Sequence, residues 1–200
     1  MSTTTNNCKL LCASAAAYLI QTTYPSGISQ LDLLNPKSLP PHILRPIIPE
    51  NTKNQYNAIG MIENPYVVIS DDKINACMIG KTASEIIIAF RGTLPPAWTL
   101  DAILDWIQDI FMSDTVSHPN ITGKVHDGFL KALMSLAANI YTVVKTLDAS
   151  GSMPIYVTGH SKGGGMAPIA AMFFKNAFHM NITQTVTFAG PKPGNGDFCN

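Results

Sequence analysis

Apolar residues change rhythm along this 200-residue chain, and each rhythm predicts a different local structure. Near the amino terminus, Cys8, Leu11, Cys12, Ala15 and Leu19 recur at helical spacing around the apolar stretch from Leu10 to Ile20. Thr3, Thr4, Thr5, Asn6 and Asn7 precede it and can cap a helix. Lys9 followed by an apolar run rich in Ala and Ser also has the form of a signal-peptide core. The spacing and the polar flank favour the helix, and with it a cytoplasmic over a secreted location. Residues 22–57 follow a second rhythm. Pro25, Pro36, Pro40, Pro41, Pro46 and Pro49 break helices and strands there, with Ile28, Leu31, Leu44 and Ile48 scattered among them. That pattern reads as an extended wrapping segment rather than a linker.

The pattern sharpens from residue 58. Ala58 to Ile62 and Tyr66 to Ser70 read as strands, and Asp71-Asp72-Lys73 turns the chain into another strand from Ile74 to Gly80. Glu85 to Phe90 is a continuous apolar, β-branched run, the mark of a strand buried on both faces. Leu130, Leu133, Met134, Ala137, Ile140, Tyr141 and Val144 make a helical stripe between Phe129 and Leu147. Ile155 to Thr158 reads as strand, Gly164 to Phe178 as helix and Thr185 to Ala189 as strand. Strands alternating with helices predict parallel strands joined by crossovers. The expected fold is therefore α/β: a mostly parallel central sheet with helices on both faces and an antiparallel extension on its amino-terminal side. Its last strand would leave an apolar edge. Residues 1–200 read as one domain, with the amino-terminal helix and wrapping segment over 1–57 and the sheet core over 58–200.

Composition narrows the partners. Lys plus Arg number 13 and Asp plus Glu 13, which excludes a basic nucleic-acid footprint. Charged residues are 13% of the chain, about half of the usual share of roughly 25%. Mean hydropathy is +0.14. A surface this poor in charge suits apolar ligands, or packing against a partner. No run of about 18 apolar residues predicts a membrane-spanning helix. Cys8, Cys12, Cys77 and Cys199 make no disulfide framework, and Cys8 with Cys12 lacks the second pair of a zinc site. Free thiols, no metal and no cofactor are expected.

The chemistry concentrates in Ile155-Tyr-Val-Thr-Gly-His-Ser-Lys-Gly-Gly-Gly165. Gly159, Ser161 and Gly163 spell G-x-S-x-G at a strand end, with a small-residue helix just beyond. That is the context in which a sharp turn lifts a nucleophilic serine above a sheet. The glycines allow the close approach, and the helix N-terminus offers free N–H groups to a developing oxyanion. A glycine-rich turn that merely packs a helix on the sheet would look similar, whereas the phosphate-loop pattern G-x-x-x-x-G-K-[ST] is not matched. Arg91-Gly92-Thr93 closes the buried strand, so Thr93 faces the ligand crevice of an α/β sheet. It can supply a second oxyanion donor through its backbone N–H, or simply cap the strand end.

The ordered segments IIIAFRGT, DWIQDI, KVHDGFLKAL, IYVTGHSKGGGMA and VTFAGPKPGN, over roughly residues 58–200, resemble the class 3 lipase family, the fungal-lipase-like α/β-hydrolases. The resemblance implies hydrolysis of carboxylic esters, usually of glycerolipids, by a Ser-Asp-His triad without metal. A lipid or ester substrate, met at a membrane or lipid-droplet surface, would be the partner. Ser161 falls on the nucleophile, the amide of Lys162 on the first oxyanion donor and Thr93 on the second. The family often has leucine at position 162; only the amide is expected to matter there. Pro95 to Leu104, with Trp98 and Leu100, falls on the lid, although a fixed amphipathic helix would carry the same pattern. Asp105 and Asp109 read as solvated or capping. His126 and His160 fall on family histidines that position the site rather than transfer its proton.

A serine needs a base, and in this fold the acid and histidine follow the serine along the chain. After Ser161 the only histidine is His179, on the order of 27 Å along the intervening helix at 1.5 Å per residue. It cannot be the base. Asp197 is the only acid after Ser161 and is the candidate carboxylate. No triad histidine is found. The chain then reads as the front part of a longer lipase, as an inactive relative that binds lipid or a protein, or, least in keeping with the pattern, as an enzyme with an unusual base such as His126.

Overall fold

The computed structural model describes residues 3–20, 33–34, 38–46, 53–93 and 114–199. The segment read as a lid, Pro95 to Leu104, and Asp105 and Asp109 lie outside them. Two strands, β1 (Leu33–Leu34) and β2 (Ile43–Pro46), precede β3 (Tyr66–Ile69), β4 (Ala76–Lys81) and β5 (Ile86–Phe90). With β8 (Ile155–His160) and β9 (Ile182–Phe188) they form a seven-stranded sheet in the order β1-β2-β3-β4-β5-β8-β9. Pairing is antiparallel from β1 to β5 and parallel across β5, β8 and β9. The parallel part carries the site. The antiparallel extension reaches into the proline-rich region, because Ile43 and Leu44 pair with Val68 and Val67 and Pro46 falls at the end of its strand.

Alternation along the strands serves two cores. Ile86, Ile88 and Phe90 of β5 point to one face, and Ile87 and Ala89 to the other, all fully buried. The first face is covered by α3 (Asp127–Leu147) and α4 (Lys162–Phe178). Of the predicted stripe on α3, Leu130, Leu133, Ala137, Ile140 and Val144 are buried and Met134 and Tyr141 half-buried, and Leu136 and Val143 join the buried face. The second face is covered by α1 (Thr3–Ala16), a 3₁₀ turn at Ala17–Leu19 and α2 (Lys53–Ile59).

Four readings are corrected here. The amino-terminal helix forms, but its predicted stripe is the outer face: Cys8, Leu11, Cys12 and Ala15 are exposed. The inner face is Leu10, Ala13, Ser14 and Ala17, and the small side chains of the last three let the helix approach the sheet. Ala58 to Ile62 is not a strand. Tyr56 and Ile59 bury one side of α2, Gly60 ends it with a φ of 80°, and Met61 retains only a single bridge to Thr82. A hairpin of β6 (Thr115–His118) and β7 (Ile121–His126) stands where no strand was expected. Strand β9 starts at Ile182, and its edge is rich in threonine rather than apolar: Thr183 and Thr187 are exposed, while Val186 and Phe188 pack against the core.

Candidate active site

Ser161 sits between the end of β8 and the start of α4, with φ 54° and ψ −125°. A non-glycine residue in that region is strained, and such strain collects at functional turns. Its neighbours hold it there. The Ser161 amide donates to the Phe188 carbonyl of β9 at 3.0 Å, and its own carbonyl accepts from Gly165 at 3.1 Å. The side chain makes no capping hydrogen bond to α4, so the hydroxyl is not spent on the helix it begins. Both glycines of the motif are required by contact. A Cβ on Gly159 would lie 2.3 Å from the Gly163 carbonyl oxygen, and one on Gly163 would lie 2.2 Å from that of Phe90. The elbow is thus pressed against the end of β5. Lys162 is the first residue of α4, where helix N–H groups have no intrahelical acceptor and the dipole is positive.

Thr93 follows β5 on the same side of the sheet and is half-buried; its Oγ1 is buried and has no hydrogen-bond partner among the described residues. Arg91, two residues earlier, is 4% exposed. Its guanidinium donates to the carbonyl of Ile20 and, at 2.8 Å, to that of Ile74. Burial pulls its pKa down to about 10, so it remains charged at neutral pH. The Lys162 ammonium donates to Asn75 Oδ1 at 2.6 Å. Burial and the Arg91 charge lower its pKa, and Asp72 opposes them. The Lys162 side chain, for which the sequence suggested no partner, is thus anchored in the β3–β4 turn.

The amino-terminal helix reaches the site as well. Tyr18 Oη lies 2.9 Å from Nδ1 of His160, the residue before the serine. It also occupies the space a Cβ on Gly92 would need, at 1.9 Å. Neither Tyr18 nor Asn75 was identified from the sequence; both act across long separations that carry no local signal.

All five histidines are among the described residues, and each is engaged elsewhere than with the serine hydroxyl. His42 pairs with Asp71 at 3.1 Å. His118 meets Phe173 edge-on. His126 caps α3 by accepting from Phe129 at 3.2 Å and stacks on the Phe129 ring. His160 faces Tyr18. His179 ends α4 in the left-handed conformation, at the opposite end of the helix from Ser161. Asp197 is not brought to the elbow. It is exposed in the short helix α5 (Gly196–Cys199), its carboxylate accepts from Asn195, and this segment packs on β7. Among the described residues no group of three or more His, Cys, Asp or Glu side chains could hold a metal ion.

A family model described as Lipase (class 3) matches residues 87–200, more than half of the chain. The chain belongs to the class 3 lipase family. Its match to a secreted mono- and diacylglycerol lipase of Fusarium solani is 30% identical and covers 58% of this chain and 32% of that protein. A chloroplastic phospholipase A1 of Arabidopsis thaliana is 28% identical over 66% of this chain and 29% of its own length. The chain thus spans about a third of the length of these curated relatives. Among solved structures, the triacylglyceride lipase of Rhizomucor miehei superposes with a TM-score of 0.54 at 26% identity, over 70% of this chain and 51% of that one. A triacylglycerol lipase with a serine-protease triad superposes with a TM-score of 0.65 at 22% identity, over 100% of this chain and 67% of that one. The α/β-hydrolase-like fold of this class 3 lipase chain follows from these matches together with its sheet and helices.

Proposed function

We propose that the chain carries the nucleophile and oxyanion side of an ester hydrolase acting on lipids, of the triacylglycerol lipase or phospholipase type. The observation that carries this reading is the backbone of Ser161, held at φ 54° and ψ −125° between a buried strand and a helix N-terminus. In this reading the Ser161 hydroxyl attacks the ester carbonyl. The Lys162 and Thr93 amides receive the oxyanion, the alcohol leaves, and water releases the acid from the acyl-enzyme. The lipase and phospholipase names among the relatives support a lipid ester, and the low charge supports an apolar substrate at a membrane or lipid-droplet surface.

The settings of the five histidines favour one competing reading, a lipase-like module that binds lipid or a protein without hydrolysing an ester. A fluorophosphonate probe separates the two. Labelling that maps to Ser161 and disappears in Ser161→Ala supports the hydrolase. Labelling of a form of the chain extended to the length of its relatives, but not of residues 1–200, places the base in the added sequence. Absence of labelling in both forms favours the binding module, and labelling of another serine overturns the assignment.

A further inference from the structure

We infer that the β3–β4 turn, residues 70–75, sets the spacing between the two amides of the proposed oxyanion hole, with Lys162 and Asn75 as its positioning pair. The inference rests on the reading of Lys162 and Thr93 as oxyanion donors. The turn is a closed hydrogen-bonded unit. Ser70 N donates to Asn75 O at 3.0 Å, Lys73 N to Ser70 O at 2.9 Å, and Asn75 N to Ser70 Oγ at 2.9 Å. The Asp72 carboxylate accepts from the Ile74 amide at 2.8 Å and from the Ser70 hydroxyl. Residues held in this way move together.

Two arms leave the turn, one for each donor. The first is the Asn75 side chain, whose Oδ1 accepts from the Lys162 ammonium at 2.6 Å. The second is the Ile74 carbonyl, which accepts from Arg91 at 2.8 Å, while the Arg91 amide donates to Ala76 at 3.0 Å. Arg91 stands two residues before Thr93 on the same strand end. One rigid turn is therefore bonded both to the residue that offers the first amide and to the segment that offers the second.

Energetics argue that the lysine is there to be held. An ammonium half-buried beside the Arg91 guanidinium loses hydration and meets like charge. Packing alone would favour an apolar side chain at this position. The Asn75 oxygen and the nearby Asp72 carboxylate offset those terms, and in return the ammonium locks the start of α4 to the turn. Leucine at this position could not donate, so the lysine and its acceptor form a matched pair.

The test uses the whole chain and four variants: Lys162→Met, Asn75→Ala, both together, and Asn75→Asp. Truncating Asn75 leaves its two backbone hydrogen bonds to Ser70 in place, so the turn survives. The first readout needs no activity: the amide NMR resonances of Lys162 and Thr93. Each single variant should shift the Thr93 resonance, Asn75→Ala should also shift that of Lys162, the double should shift Thr93 no further than the larger single, and Asn75→Asp should leave both at their wild-type positions. The second readout is short-chain ester hydrolysis by a form that labels at Ser161. There kcat should fall about tenfold in either single and in the double, KM should stay, and Asn75→Asp should retain the wild-type rate. A Thr93 resonance that ignores Asn75→Ala, or additive losses in the double, would overturn the inference. If no form labels or turns over substrate, the hydrolase reading falls, and the two resonances still decide whether the turn holds both segments.

Discussion

Adding one methyl group at Gly163 tests whether the elbow depends on contact with β5. The ideal Cβ at this position lies 2.2 Å from the Phe90 carbonyl oxygen, 2.8 Å from the Phe90 carbonyl carbon and 3.1 Å from that of Arg91. Ordinary carbon–oxygen contact is at least 3.4 Å, so the elbow and the end of β5 must separate by about 1 Å. All three atoms are backbone, and no side-chain rotamer can absorb the displacement. Overpacking of this kind costs about 1–3 kcal/mol. For a chain of this size each kcal/mol lowers Tm by about 2–4 °C. The larger effect should be on the site, because the displacement separates Ser161 and Lys162 from the strand end that leads to Thr93. A 1 Å misplacement of catalytic groups costs about 10²-fold in rate. Gly163→Ala should therefore lower Tm by several degrees and slow fluorophosphonate labelling of Ser161 about a hundredfold. Gly196→Ala is the control, since a Cβ there meets nothing within 4 Å. A Gly163→Ala protein with unchanged Tm and unchanged labelling would refute the contact argument.

Three further outcomes follow from single side chains. Thr93→Ala keeps the amide and removes a buried hydroxyl, and should lower kcat for a short ester about tenfold, near 1.4 kcal/mol, with KM unchanged; a change in KM alone would make Thr93 a substrate-binding residue. Tyr18→Phe removes the hydrogen bond to His160 and should cost about 1 kcal/mol in thermal unfolding, with slower labelling of Ser161 if the amino-terminal helix steadies the elbow. Burial pushes the Tyr56 pKa up to about 12, so the folded state holds a proton that the unfolded state loses above pH 10. That contribution is intact below pH 10 and is lost as the pH rises through 12; Tyr56→Phe should remove a slope of about 1.4 kcal/mol per pH unit over that range. Arg91, held to about 10, acts with the opposite sign, so the informative measurement is the difference between the variant and wild-type curves.

Strand β5 was legible because its environment is uniform. Every residue from Ile86 to Phe90 is buried, and a run of β-branched residues admits few other structures. Helix α3 was legible for the opposite reason: its environment alternates, and the 3.6-residue period records that. Helix α1 is apolar on both of its faces. Its buried side has Leu10 but otherwise alanine and serine, while Leu11 and the cysteines face out, so the apolar spacing picked the wrong face. Residues 58–62 failed because Ala58, Ile59, Met61 and Ile62 form a short apolar run like that of a strand, whereas Gly60 sits at positive φ and ends a helix instead. The β6–β7 hairpin has a half-exposed first strand of Thr, Val, Ser and His, too polar to stand out.

The site divides along the same line. Most of what shapes the elbow lies within eleven residues, Ile155 to Gly165, together with the ends of β5 and of β9, whose Phe188 carbonyl accepts from the Ser161 amide. Such a motif is written locally, and the glycine contacts show why its spacing is fixed. What aims the elbow is not local. Tyr18 is 142 residues from His160, and Asn75 is 87 from Lys162. No periodicity or turn signal marks a pair at that separation. The sequence did contain a clue at one of them: a lysine where the family pattern often has leucine. A half-buried charge next to the elbow serine must find a partner or raise the energy of the fold, and Asn75 is that partner. A departure from the family pattern therefore points to a long-range contact that the matches to the pattern do not mark.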